Sequence, residues 1–268
     1  MPIAKVGDIR IEYYVEGEGP PLLMLIGVGG HAGSWGEPFL AHLRQHFRII
    51  RLSNRGMGQT DISPGALTMR IMADDAAGLL QELGIGQVHV LGISMGGNIA
   101  QEVVLNHRQL VQGLVLGCTN CGPRHSVPQS AETMTELGAL WNLPSDERVR
   151  LFMSAMVSPE FAESDHQFID EMVGLHMDTS SEAFGRQFGA IALFDSYDRL
   201  PQIEAPTLII HGDKDIIIPV ENAGVLRERI LGAHTEIVPG VGHQFFWEAP
   251  AESAGAIVEF LASVPTPA

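Results

Sequence analysis

Hydrophobic positions along the chain follow two rhythms that alternate with one another. Short, nearly continuous apolar runs occur at 22–26, 48–52, 88–91, 114–116, 207–210 and 235–238. Runs of that length read as strands buried on both faces of a parallel sheet. Residues 3–16 instead alternate around Gly7-Asp8, which predicts an antiparallel hairpin. Between the runs the period lengthens: over 69–83, Ile71, Met72, Ala76, Leu79, Leu80 and Leu83 recur close to every 3.6 residues, with Thr68 placed to cap the helix. Segments 95–106 and 251–261 read the same way. Strands alternating with helices predict an α/β fold, doubly wound, with a mostly parallel sheet and an N-terminal antiparallel hairpin.

One stretch breaks the alternation. Residues 119–200 hold no convincing strand but several helical segments. Thr179-Ser180-Ser181-Glu182 has capping-box spacing, and Phe184, Phe188, Ile191 and Phe194 follow at near-helical intervals. Met134, Met153, Met156, Met172 and Met177 fall here too. Methionine at helical spacing is usually core. A helical block inserted between two strands is also how a lid is built, and flexible thioethers suit varied apolar groups. The predicted division is a core of 1–118 and 201–268 with a helical lid over 119–200.

Composition narrows the function. Hydrophobic residues make up 45% and charged residues 18%, enough for a large core, and the net charge is −16. Such an acidic surface repels phosphate backbones, and no basic stripe with interleaved aromatics compensates, so nucleic acid is not an expected partner. Neutral acyl groups suit it better than polyanions. No basic segment followed by an apolar run opens the sequence, and no apolar run approaches the ~20 residues of a membrane span. The expectation is a soluble, cytoplasmic protein with a frayed tail at 264–268. Cys118 and Cys121 lack the second ligand pair that zinc would want, and Gly122-Pro123 follows where a redox motif would start a helix, so both read as reduced thiols.

The strongest chemical signal is Gly92-Ile93-Ser94-Met95-Gly96, a G-x-S-x-G directly after a predicted strand and directly before a predicted helix. A nucleophilic serine needs that tight, strained turn, and the helix start favours a developing oxyanion. Serine also needs a base, itself oriented by an acid. In hydrolases with this elbow the order is Ser, acid, His. The run at 207–210 leads into His211-Gly212-Asp213-Lys214-Asp215, and the run at 235–238 into Pro239-Gly240-Val241-Gly242-His243. Both loops open at the C-terminal edge of the sheet, where ligands bind in open α/β folds. Spacing leaves Asp213 and Asp215 both open as the acid. One oxyanion-hole N–H is expected from Met95 and the other from Gly27-Val28-Gly29-Gly30.

With these motifs in place the chain resembles the α/β-hydrolase superfamily, in the branch of small esterases, enol-lactonases and cofactor-free haloperoxidase-like enzymes. The resemblance is weakest between 119 and 200. It implies Ser94 as nucleophile, Asp215 as acid, His243 as base, and Val28 as the second oxyanion donor. Two positions depart from the family pattern: Ile26 stands where a histidine usually precedes the glycine, and Ser53 replaces the usual aspartate of an Asp-x-Arg-Gly-x-Gly turn.

The expected activity is hydrolysis of a carboxylic ester or lactone through an acyl-enzyme. Acyl transfer and cleavage of a C–C bond beside a ketone use the same groups, and an inactive ligand-binding member of the fold is the non-enzyme alternative. A small-molecule acyl ester or lactone is the expected partner, with no cofactor, no metal and no membrane, and a homodimer stays open. Trp35, Phe194, Phe245 and Phe246 are candidates for an apolar pocket wall and equally for plain core. Gly27-Val28-Gly29-Gly30-His31-Ala32 is formally a dinucleotide fingerprint, with Arg51 and Arg55 as conceivable phosphate partners, but no acidic residue ends the second strand. His42 and His46 stand four apart, yet Leu43 occupies the place where a zinc protease carries its glutamate.

Overall fold

The structure, a computed structural model, describes residues 2–62, 64–176 and 180–265. Its centre is an eight-stranded sheet in the order β1-β2-β4-β3-β5-β6-β7-β8. The strands are β1 (Ile3–Val6), β2 (Ile9–Glu16), β3 (Pro21–Leu25), β4 (Arg48–Leu52), β5 (Val88–Ile93), β6 (Val111–Gly117), β7 (Thr207–Gly212) and β8 (His234–Val238). β1 and β2 pair antiparallel, as does β2 with β4, and the other pairings are parallel. The helices are α1 (Glu37–Leu43), α2 (Met69–Glu82), α3 (Met95–Asn106), α4 (Ala131–Ala139), α5 (Ser145–Ala155), α6 (Pro159–Ser164), α7 (His166–His176), α8 (Ser181–Leu193), α9 (Glu221–Arg229), α10 (Phe245–Glu248) and α11 (Pro250–Ala262).

Continuous apolar strands produce two cores because successive side chains point to opposite faces. Leu23, Leu25, Val88, Val90, Leu114, Leu116 and Ile209 pack with residues of α2, α3 and α9. Leu22, Met24, Leu91, Ile93, Val115, Leu208 and Ile210 pack with α1, α10 and α11 on the other face. The N-terminal ladder is tied to β4 by a carboxylate. Glu12, almost wholly buried on β2, accepts from Ser53 Oγ at 2.8 Å and Gln59 N–H at 3.0 Å. Glu12 thus brings a carboxylate to the turn that Ser53 opens.

Between β6 and β7 the described residues form α4 to α8 and no strand. Serine side chains cap three of these helices: Ser130 accepts from Thr133 N–H, Ser158 from Phe161 N–H and Ser180 from Ala183 N–H. The last corrects the capping-box register. α8 starts with Ser180 as cap, one residue later than the Thr179 spacing predicts, while Thr179 itself and Met177 lie outside the described residues, as do 266–268 of the tail. Met153 and Met172 are buried with Val157, Phe168 and Ile169 in a small core of their own, whereas Met134 is exposed. No helix among the described residues is long and apolar enough to cross a membrane.

Candidate active site

β5 ends at Ile93 and α3 begins at Met95, so Ser94 alone makes the turn between them. Its backbone sits at φ 57° and ψ −124°. A non-glycine residue there costs on the order of 1–3 kcal/mol and persists only where its surroundings impose it. Ser94 N–H donates to Gly117 O at 2.9 Å, and Ser94 O accepts from Thr119 Oγ1 at 2.7 Å and Gly97 N–H at 2.9 Å. A Cβ on Gly92 would overlap the Gly96 carbonyl oxygen, and one on Gly96 would overlap the Leu25 carbonyl oxygen. Ser94 occupies the cap position of α3 without spending its hydroxyl on a capping bond.

The loop after β7 separates its two aspartates by role. Asp213 Oδ1 accepts from Gly240 N–H at 2.7 Å and braces the neighbouring loop. Asp215 is buried: Oδ1 accepts from Ile217 and Ile218 N–H at 2.8 and 2.9 Å, and Oδ2 accepts from His243 Nδ1 at 2.7 Å. His211 Nε2, which donates to Ile218 O at 2.8 Å, lies 3.3 Å from the same Oδ2. Burial alone would push the Asp215 carboxyl up. His243 and His211 together outweigh it and hold the group well below the usual carboxylate range. With Nδ1 donating to the carboxylate, Nε2 of a neutral His243 is left as the acceptor. That atom is buried and has no protein hydrogen-bond partner, so it makes no hydrogen bond to Ser94 Oγ here. Such contacts commonly tighten only with substrate bound.

Cys118 ties the two halves together. It follows Gly117, to which Ser94 is bonded, and its thiol lies within 4.8 Å of the ligating atoms of Asp215 and His243. Burial, followed by the Asp215 charge, pushes the Cys118 thiol up, so it is a neutral packing group. Cys121 is a second buried free thiol. Cys118, Asp215 and His243 would offer a metal three donors. A proton already joins two of them at 2.7 Å, in the place an ion would take, and both Asp215 oxygens are occupied by donors.

Gly27 to Gly30 forms a turn closed by Gly30 N–H to Gly27 O at 3.2 Å, with Gly29 at φ 74°, the positive value a type II turn needs at its third position. Among the described residues neither Val28 N–H nor Met95 N–H has a protein acceptor. Gly27 lies against the nucleophile: a Cβ there would come within 3.1 Å of Ser94 Cβ.

All four pocket-wall candidates are buried in the two cores. Trp35 and Phe245 are 0% exposed and stack with Phe39 and Phe246 beneath the sheet, Trp35 to Phe246 at 5.4 Å between ring centroids. Phe246 belongs to the same cluster. Phe194, at the end of α8, packs into the opposite core with Ala190 and Leu200. Aromatic size marks them equally as wall or core, and the sheet claims them. The arginines of the dinucleotide reading are engaged elsewhere: Arg51 bonds Glu16 and Ala32 O, and Arg55 bonds Asp75. The glycine run leads into turns, and α1 starts only at Glu37.

Sequence reasoning missed His211, Glu248 and Gln187. Glu248 Oε1 accepts from Gly242 N–H at 2.7 Å and Oε2 from Ser158 N–H at 2.9 Å, clamping the histidine loop to the segment between α5 and α6. Burial lifts its carboxyl above the usual range. Gln187 on α8 is fully buried, and its Oε1 accepts from Gly29 N–H at 2.9 Å. His211 was visible in the His-Gly-Asp-Lys-Asp run. The other two act across folds of the chain that no local pattern encodes.

A serine elbow after β5, an aspartate after β7 bonded to a histidine after β8, and a mostly parallel eight-stranded sheet define the α/β-hydrolase fold. The chain belongs to the alpha/beta hydrolase family, whose profile matches residues 22–256. A 2-hydroxy-6-oxononadienedioate/2-hydroxy-6-oxononatrienedioate hydrolase of Paraburkholderia xenovorans is 30% identical over 274 residues, covering 96% of this chain and 92% of that protein. A thermophilic esterase from Thermogutta terrifontis superposes with a TM-score of 0.83 at 27% identity, covering 99% of this chain and 100% of that one. The enol-lactonase from Burkholderia xenovorans LB400 shares the fold, with a TM-score of 0.85 at 23% identity over 98% of this chain and 100% of that one.

Proposed function

We propose that this protein is a serine hydrolase that cleaves a carboxylic ester or lactone through an acyl-enzyme. The observation that carries the reading is Ser94 itself, held at φ 57° with its hydroxyl uncommitted and the free Met95 N–H beside it. Ser94 Oγ attacks the carbonyl carbon as His243 Nε2 takes its proton. The tetrahedral oxyanion accepts from Val28 and Met95 N–H. Asp215 holds the ring in the tautomer that leaves Nε2 free and stabilises the imidazolium. The ring then returns the proton to the leaving oxygen, and water repeats the two steps to release the acid. The helices of 119–200 serve as a lid, supported by the bond of Gln187 to Gly29 and by Glu248, which holds Ser158 and Gly242 together.

A second reading rests on the Paraburkholderia relative. The substrate in its name carries a ketone and two carboxylates but no ester, so its hydrolysis breaks a C–C bond beside the ketone. The same serine and histidine would serve. The deciding experiment is a rate profile across p-nitrophenyl esters of increasing chain length, simple lactones and a 2-hydroxy-6-oxo-dienoate. Esters or lactones turned over at least tenfold faster than the dienoate are expected. A dienoate preference would move the assignment to C–C cleavage.

A further inference from the structure

We propose that Gln187, carried by lid helix α8, is a positioning residue for the oxyanion loop, so that the lid sets the donor it covers. The inference rests on the serine-hydrolase reading above. The loop is a four-residue turn whose central peptide joins Val28 to Gly29, with Gly29 at φ 74°. In turns of this kind that peptide plane can flip between the type II and type I forms, reversing its N–H and its carbonyl. Gln187 Oε1 accepts from Gly29 N–H at 2.9 Å. A flip would turn the Val28 carbonyl oxygen towards that side, acceptor against acceptor. The bond therefore holds the turn in one form and ties the loop that carries the Val28 N–H to α8.

The bond from Gln187 reaches the loop from outside it. Ile26, just before the turn, is apolar and buried against Gly30. Gln187 comes from 158 residues further along the chain and is 0% exposed. Its Nε2 has no protein partner, so the carbonyl end carries the amide's protein bonding. The assignment of oxygen and nitrogen follows from the contact, since an N–H needs an acceptor. Burying an amide with one end unpaired is unfavourable, which weighs against a side chain kept there for packing alone.

Gln187→Met keeps the length and removes the acceptor. The expected result on p-nitrophenyl acetate is a fall in kcat of about 10- to 100-fold, because a misplaced donor loses transition-state stabilisation. KM should change less than about threefold, as for an interaction made only in the transition state. Inhibition by a trifluoromethyl ketone, whose serine adduct places an oxyanion in the same hole, should weaken by the same factor as kcat/KM. A folded variant with unchanged kcat and inhibition, or with a lower Tm alone, overturns the proposal, as does a kcat loss without weaker inhibition. Should Gln187→Met fail to fold, Gln187→Asn, which withdraws the acceptor by one methylene, is judged by the same results. Failure of the underlying reading looks different: wild-type protein would then resist the ketone, and Ser94→Ala would still turn over ester.

Discussion

Asp213 and Asp215 stand two residues apart in one loop and face different problems. The first ties down Gly240; the second sits in the interior against two imidazoles. Asp215→Asn is expected to lower kcat by about 10⁴, because the imidazole loses its orienting anion and tautomer. Asp213→Asn should cost roughly 1 kcal/mol of stability at most and little activity. Steady-state kinetics on purified, folded variants check the ranking, and the reverse order would transfer the acid's role to Asp213. A pH dependence of stability follows from the same carboxyl. Its folded value lies below its unfolded one, so its contribution is present above about pH 4 and is lost as pH falls through the folded value. The Tm gap between wild type and Asp215→Asn should narrow as pH drops from about 5 to about 2. A constant gap would mean the carboxylate is not held charged by its neighbours.

These residues also show what a sequence can disclose. Ser94, Asp215 and His243 sit in loops whose glycines and chain order are local, so their motifs are legible. Gln187 and Glu248 matter through bonds to Gly29 and Ser158, and no spacing rule announces a contact across the chain.

Among the elements, the strands and long helices were legible because burial on both sheet faces demands continuous apolar runs. α1 and α9 were not: the first is seven residues long, and the second buries only Asn222, Ala223 and Leu226, too little for a periodic signal. The inserted helices bear directly on the methionine argument. Met172 and Met153 fill a small core between α5 and α7, so they act first on the stability of these helices. Met172→Ala should cost about 2–5 kcal/mol of the stability of the inserted helices, while Met134→Ala, at an exposed site, should stay within about 0.5 kcal/mol. Hydrogen exchange over α5 to α7 reads the difference. If the lid covers the site, Met172→Ala should also change the ratio of rates on short and long acyl esters. An unchanged ratio in folded protein would make the helices a packing layer only.

For the molecule as a whole, the sheet fixes the edge at which three loops meet, and the net charge of −16 fixes what approaches it. An ester bearing a carboxylate on its acyl chain should show kcat/KM rising with added salt as repulsion is screened, while a neutral ester of equal length stays nearly flat. Equal salt responses would mean that local positive groups, not the global field, govern entry. The central claim is narrower: Ser94 is the nucleophile. Its most direct test is a fluorophosphonate reaction followed by peptide mass spectrometry, with ester turnover measured in parallel. The account predicts one covalent adduct on the peptide carrying Ser94, and turnover lowered on the order of 10⁶-fold in a folded Ser94→Ala variant, which takes up no label. A label elsewhere, or a Ser94→Ala protein retaining a tenth of the wild-type rate, would contradict it.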